Sequence, residues 1–522
     1  MKTVVIYGGH DSNITFYNSE TKNYKIIEIE RITKSRYSTL KDLNVYQIQE
    51  ILKFCQKIAE NHWGFTNDYD VVISMIDGYI PESVYGEIFK SKKYIRYGDH
   101  HLSHAAVAFY QSNFQDCLIF SYDGGGNDGY FNIYEVNNNE FKLIEKINCD
   151  FGGCYLLLAS CLKEVTSNSK SILSLAGKMM GICAYGDVIE EKVDIFARFF
   201  MDKNWKKLST SSGYFLNNLD NPWNNPLTNF IFEGKVGYDF AATSQKAYEE
   251  AFLKIFKRIK NDYNPKNVCI TGGGALNVLL NERIKNEFDL NVFVPPNPND
   301  CGLSLGASLL FNDEKTKINI TYDGVPIIDK ENLAQFLINR NYIEFSYDVL
   351  SDELVKGKII GVCINDSEVG PRSLGNRSII CNPNYENMKD ILNSKVKFRE
   401  WYRPFAPFCL ESDASKYFES KNFHNLEFMS FAPRVKKKYA KLLPSITHED
   451  FSSRLQIVTS KSHDFFYNLL VSFSKKNKTP ILLNTSFNIK GNPILTTYED
   501  AFYVLDNTDM DILVVDNYII YK

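Results

Sequence analysis

Three of the chain's eight histidines fall within five residues, in the stretch GDHHLSHAAVAFYQS at 98–112. The alanine-rich run predicts a helix, and residues four apart on a helix share a face. His100 and His104 then point one way and His101 another. Two imidazoles one turn apart have metal-ligand spacing. Asp123, at the tip of CLIFSYDGGG, and Asp300, in PNPNDCG, offer carboxylates from turns. Aspartates before glycines often serve only as turn or cap residues. Together with the histidines they would make a mixed nitrogen and oxygen set, which suits iron, zinc or manganese and does not choose among them.

Two glycine turns, Gly124, Gly125, Gly126 and Gly272, Gly273, Gly274, each follow a buried-strand signal. Glycine leaves backbone N–H groups open to anions, so the pair can hold nucleotide phosphates from two sides. His10 and Asp11 follow the first strand, TVVIYGG, at the same kind of edge. His10 is either a satisfied turn residue or a general base or hydrogen-bond donor facing a substrate. EIERITKSRY groups Arg31, Lys34 and Arg36, by default a solvated face and otherwise a phosphate or substrate clamp.

The second half carries different chemistry. SEVGPRSLGNRSI holds Arg372 and Arg377, VKFREWYRPFAP adds Lys397, Arg399 and Arg403, HEDFSSRLQIV adds Arg454, and ILLNTSFNIKGNP adds Asn484, Ser486 and Asn488. Arginine forks bind phosphate or carboxylate in bidentate fashion. So many arginines among apolar residues are costly to bury unpaired, and an anionic ligand resolves that cost. The competing reading is a surface laced with ion pairs.

These groups need a frame. Short β-rich runs ending in glycine turns, followed by helical patterns, predict an α/β fold with ligands at the strand C-termini. At 522 residues the chain exceeds one core, so two or more domains are expected. The polar stretch at 312–330 suggests a boundary near 320, giving domains 1–320 and 321–522, with ENLAQFLINRN a helix and KIIGVCIND a strand beyond it. The recurring strand–GGG design hints at a duplicated lobe. A net charge of −4 gives no polycationic footprint for nucleic acid. Eleven scattered cysteines read as reduced thiols, the N-terminus as a strand and not a signal peptide, and no apolar run spans a bilayer. The expectation is a cytoplasmic protein that binds neither membrane nor nucleic acid.

DHHLSHAA, YDGGG, TGGGALN, NDCGLSLGA, GPRSLGNRSI, REWYRPFAP and LNTSFN, in this order, resemble the O-carbamoyltransferases of the nodulation-protein-U and cephalosporin-carbamoyltransferase type, over nearly the whole chain. The resemblance implies a Kae1-like domain, a duplicated actin-like ATPase fold, followed by a YrdC-like α/β domain. It implies that the second domain makes carbamoyl-adenylate from carbamoyl phosphate and ATP, releasing pyrophosphate. The first then transfers the carbamoyl group to an acceptor hydroxyl and releases AMP. It places metal ligands, for iron as Fe2+, on His100, His104, Asp123 and Asp300. It places the adenylate against the two glycine turns with Asn277 close by. It places activation on Arg372, Lys397, Arg403, Arg454, Asn484 and Ser486, with Arg377 among the nucleotide-binding residues, and His10 beside the acceptor with Lys34 near it. Mg2+ would accompany ATP. The acceptor would be a sugar, an oligosaccharide or another natural product, and the chain's oligomeric state, a homodimer among the choices, stays open. The family's HDSSAA reads HDSNITF here, and its HVDGTAR reads HEDFSSR, which puts acceptor contacts in question more than activation. A tRNA threonylcarbamoyl-transfer-type protein and a non-catalytic nucleotide-binding protein are the alternatives.

Overall fold

The computed structural model describes residues 1–522 except 168, 170, 203–230, 313–315 and 490. Its first sheet has the spatial order Asn23–Glu28, Asn13–Asn18, Lys2–Tyr7, Val71–Ser74, Tyr94–Arg96. The first three strands run antiparallel and the last two join in parallel. The second sheet repeats this plan with Glu140–Ile147, Gly129–Asn137, Asp116–Gly126, Asn267–Thr271 and Asn291–Phe293. The duplication hinted at by the strand–GGG runs is therefore a repeat of whole sheets.

Each sheet's fifth strand leads to a helix, His100–Gln111 in the first repeat and Leu303–Phe311 in the second. The two helices pack on each other between the sheets. Their approach is close enough that a Cβ at Gly306 would overlap the Ser103 carbonyl. Gly306→Ala should therefore destabilise the protein by about 1–3 kcal/mol. The check is a lowered urea midpoint at unchanged slope.

A third, mixed sheet of eight strands fills the second half, in the order Asn341–Glu344, Tyr518–Tyr521, Ile512–Val515, Ile360–Cys363, Arg377–Cys381, Ile481–Ser486, Ala406–Leu410, Gln456–Val458. The strand expected in KIIGVCIND is Ile360–Cys363. ENLAQFLINRN forms only the short helix Leu333–Leu337 after a 3₁₀ turn. None of its residues is fully buried, so little packing extends it.

The halves are not separate bodies of core. One apolar cluster runs from Phe120 and Phe252 behind the second sheet, through Tyr402, Leu426 and Phe431, to Leu483 and Leu513 of the third. The segment around 320 is tied at both sides. The Ile26 amide donates to the Asp323 carbonyl, and the Ser367 amide to the Val325 carbonyl. Among the described residues no helix is long and apolar enough to cross a membrane.

Candidate active site

His100 and His104 lie one turn apart on the helix between the two repeated sheets, both buried. Asp123 lies three residues before the end of the central strand of the second sheet, where Gly124, Gly125 and Gly126, expected as a turn, continue the strand, and Asp300 opens the 3₁₀ turn before Leu303–Phe311. Their ligand atoms all lie within 4.8 Å of one another. His104 Nε2 is 3.5 Å from Asp123 Oδ2 and 3.4 Å from Asp300 Oδ1, and His100 Nε2 is 3.6 Å from Asp300 Oδ1. His100 Nε2, His104 Nε2 and Asp300 Oδ1 are buried without a hydrogen-bond partner. Orphaned buried donors and acceptors are expensive. These three atoms, with the Asp123 carboxylate beside them, converge on one point and fit a divalent cation.

Neighbours orient these groups. The Tyr7 hydroxyl donates to Asp300 Oδ2 at 2.6 Å, and Asp77 Oδ2 lies 3.0 Å from His100 Nδ1. Asp123 accepts from the Gly124 amide at 2.6 Å and from the Gly273 amide. Burial works to raise the Asp300 carboxyl, but His10, His100 and His104 outweigh it and hold it below the usual carboxylate range. Burial lowers His100, and Asp300 and Asp77 reverse that, raising it to about 9. His101 faces elsewhere and is a satisfied core residue. Its Nδ1 meets Ser121 Oγ at 2.9 Å and its Nε2 the Gly129 carbonyl at 3.1 Å. Burial, with His100 and His104 beside it, lowers it to about 4.

The sequence reading missed Asp77 and Tyr7. Asp77 and Gly78 stand just past the buried strand Val71–Ser74, the edge that delivers His10, which is the signal available for Asp77. A carboxylate that fixes a ligating imidazole typically contributes 10–100-fold in metal affinity. Asp77→Asn should weaken divalent-metal binding by about that range, measured by competition with a chelator.

His10 joins this cluster, half exposed, with Nε2 3.3 Å from Asp300 Oδ2; Asp300, against the effect of burial, raises it to about 10. Lys34 does not join it. Its ammonium pairs with Asp500 at 2.8 Å, on a cavity wall it shares with Arg31 and Asn488. Of the second glycine turn, Gly273 and Gly274 enter a 3₁₀ turn that ends before the helix Val278–Glu287. Asn277 caps that helix by accepting from the Leu280 amide, and pairs with Gln245.

The second cluster lies on the third sheet and its loops. Arg372, Arg399, Arg403 and Arg454 are half buried, and Lys397 is buried. Among the described residues, no ion pair joins Arg372, Arg399, Arg454 or Lys397 to a carboxylate, and Arg403 has only Glu400, at 3.9 Å. Burial and the neighbouring cations push Arg372 down to about 10 and Arg399 down to about 9. Burial, then Arg372, Arg403 and Arg399, drives Arg454 well below its usual value. Lys397 is lowered by burial and then by Arg399, Arg36 and Arg403. Its ammonium donates to the Ser486 carbonyl at 2.5 Å, to Ser486 Oγ at 3.3 Å and to the Asn488 carbonyl at 2.7 Å. Asn484 is buried between the Ser373 carbonyl, at 3.1 Å, and Gln456 Oε1, at 2.9 Å.

The loop that presents Arg372 is clamped from both ends. Gly370, at φ +104°, takes a conformation that favours glycine. Its amide donates to Glu28 Oε1 at 3.0 Å, and its carbonyl accepts from Arg31 Nη2 at 2.8 Å. Past Arg372, the buried Glu368 accepts from the Leu374 and Gly375 amides at 2.5 and 3.2 Å. Arg377 has another fate from Arg372. It is fully buried, and its terminal nitrogens donate to the carbonyls of Ile364, Asn365 and Asn376. Arg372 also lines a narrow crevice with Ala275, Leu276 and Pro298, so it borders the second glycine turn.

The family model described as Carbamoyltransferase N-terminus matches residues 26–309, and that described as Carbamoyltransferase C-terminus matches residues 351–522. The chain is similar to nodulation protein NolO of Bradyrhizobium diazoefficiens, at 32% identity over 81% of this chain and 79% of that protein. It is similar to nodulation protein NolNO of Sinorhizobium fredii at 30% identity, covering 89% and 69%, and to nodulation protein U of Rhizobium tropici at 27%, covering 75% and 70%.

Proposed function

Because the chain belongs to the carbamoyltransferase family, we propose that it is an ATP-dependent O-carbamoyltransferase working in two half-reactions. The observation that carries the reading is the cluster of Arg372, Arg399, Arg403, Arg454 and Lys397, nearly free of carboxylate partners among the described residues. A cluster of this kind is built for a polyanion. Carbamoyl phosphate and ATP bring such charge together.

In the first half-reaction water releases the phosphate of carbamoyl phosphate as inorganic phosphate, leaving carbamate. A carbamate oxygen attacks the α-phosphorus of ATP. The bond to the β-phosphate bridge breaks, pyrophosphate leaves and carbamoyl-adenylate remains. The arginines offset the repulsion between the anions and stabilise charge at the α-phosphate. Lys397, fixed by Ser486 and Asn488, adds a point charge that cannot swing away. The repeated sheet order supports an actin-like, Kae1-type first part, and we assign the third sheet to a YrdC-type second part, divided near residue 320.

Arg372 meets Ala275 and Leu276, just past the second glycine turn, across a narrow crevice, and this adjacency supports an internal transfer of the intermediate. Internal transfer shields it from water. In the second half-reaction an acceptor hydroxyl attacks the carbamoyl carbon and AMP leaves. His100, His104, Asp123 and Asp300 would hold a divalent cation, which we assign as Fe2+ and which when bound supplies Lewis-acid polarisation of the carbamoyl group. His10, half exposed at the rim, faces the incoming hydroxyl. The acceptor we propose is a sugar or natural-product alcohol.

Isotope exchange tests this reading. Labelled pyrophosphate should enter ATP only when carbamoyl phosphate is present. Exchange that ignores carbamoyl phosphate contradicts it.

A further inference from the structure

Among the described residues Glu400 is the one carboxylate paired with the arginine cluster, and its position is unusual. Its Oε2 stands 3.9 Å from Arg403 Nη1, too far for a hydrogen bond. Its other oxygen lies 3.0 Å from the ammonium of Lys178. Both side chains are largely buried, 7% and 12% exposed. Lys178 stands on the helix Leu175–Ile182 and also donates to Ser169 Oγ at 2.6 Å and to the Val165 carbonyl at 3.3 Å. It is thus held in place from its own side.

The surrounding contacts point the same way. The Tyr402 hydroxyl donates to the Glu164 carbonyl at 3.2 Å, and Gly181 lies against Tyr402 and Pro404. Glu164, Lys178 and Gly181, from the first half of the chain, brace the loop 399–404 that carries two of the arginines. A buried lysine needs a partner, and any carboxylate would serve. This one is drawn from beside the groups that must receive an anion. Were it free, a carboxylate next to a guanidinium would close into a short charge-assisted pair and cancel its charge.

We propose that Lys178 is a positioning residue for anion binding: it holds the Glu400 carboxylate off Arg403 and so leaves that guanidinium open to the substrate's phosphoryl groups. This rests on the anion-site reading of the cluster. A merely bracing role for the Lys178–Glu400 pair would affect stability and leave anion affinity alone.

The test uses the full chain and inorganic pyrophosphate as the probe, with affinity measured by calorimetry at fixed ionic strength and thermal unfolding recorded separately. Lys178→Met should bind pyrophosphate about tenfold more weakly, as expected when one nearby charge is cancelled. Lys178→Met with Glu400→Gln should return to within about threefold of the parent, since the competing carboxylate is gone. Glu400→Gln alone, which leaves Lys178 in place, should bind at least as tightly as the parent. The proposal is overturned if Lys178→Met lowers only the melting temperature, if the double variant stays as weak as the single one, or if Glu400→Gln alone weakens binding. Failure of the parent itself to bind pyrophosphate would instead remove the anion-site reading beneath it.

Discussion

Arg372→Ala abolishes carbamoyl-phosphate-dependent pyrophosphate release while leaving the fold at least as stable as before. The loss should be about 100- to 1000-fold, the effect of removing one preorganised donor from a developing charge. The stability half of the prediction follows from the cluster's composition. Burial and the neighbouring Arg403 and Arg36 already work against the Arg372 cation, and among the described residues no carboxylate pairs with it. Deleting it relieves repulsion, so the melting temperature should hold or rise. Arg377→Ala supplies the contrast. That guanidinium anchors the carbonyls of Ile364, Asn365 and Asn376, so its loss strands buried acceptors and destabilises by about 3 kcal/mol. Normal pyrophosphate release by Arg372→Ala would sink the assignment of the activation site.

His104→Ala separates the two half-reactions. His104 is fully buried with its Nε2 facing Asp123 and Asp300, and it belongs to the helix His100–Gln111 and not to the loops that carry the arginines. Pyrophosphate release should stay within about twofold of the parent, because the anion cluster is untouched. Transfer to an acceptor should fall by at least about 100-fold, since even a partner outside the ligand set is typically worth 10–100-fold in affinity or activity. Metal content, measured on the purified protein, should fall with it. Unimpaired transfer with a lost metal would remove the cluster from the mechanism.

The buried group of His100, His104, Asp123 and Asp300 was legible in the sequence because its signals are local. The spacing of His100 and His104 needs only a helix, and Asp123 and Asp300 need only strand ends and turns. That His101 points away from that pair also follows from its angle on that helix, but its burial against Ser121 and Gly129 does not. The arginine cluster was legible by residue type but not by role. Arg372 and Arg377 look alike five positions apart, and only the loop around Glu368 decides that one lines the crevice beside the second glycine turn and the other donates to backbone carbonyls. Lys34 shows the limit of local reading. Its partner, Asp500, lies 466 positions away. The continuous core joining the second and third sheets was equally hidden, since it is assembled from residues that a polar stretch near 320 separates in sequence.

The activation of carbamoyl phosphate with ATP that we propose for the second half of this chain needs no acceptor. The purified protein is incubated with ATP alone, with carbamoyl phosphate alone and with both, and pyrophosphate, ADP and carbamoyl-adenylate are quantified. Pyrophosphate and carbamoyl-adenylate that appear only with both substrates are the predicted result. ADP and phosphate in place of pyrophosphate would contradict the account and make the arginine cluster the site of a kinase or a simple ATPase.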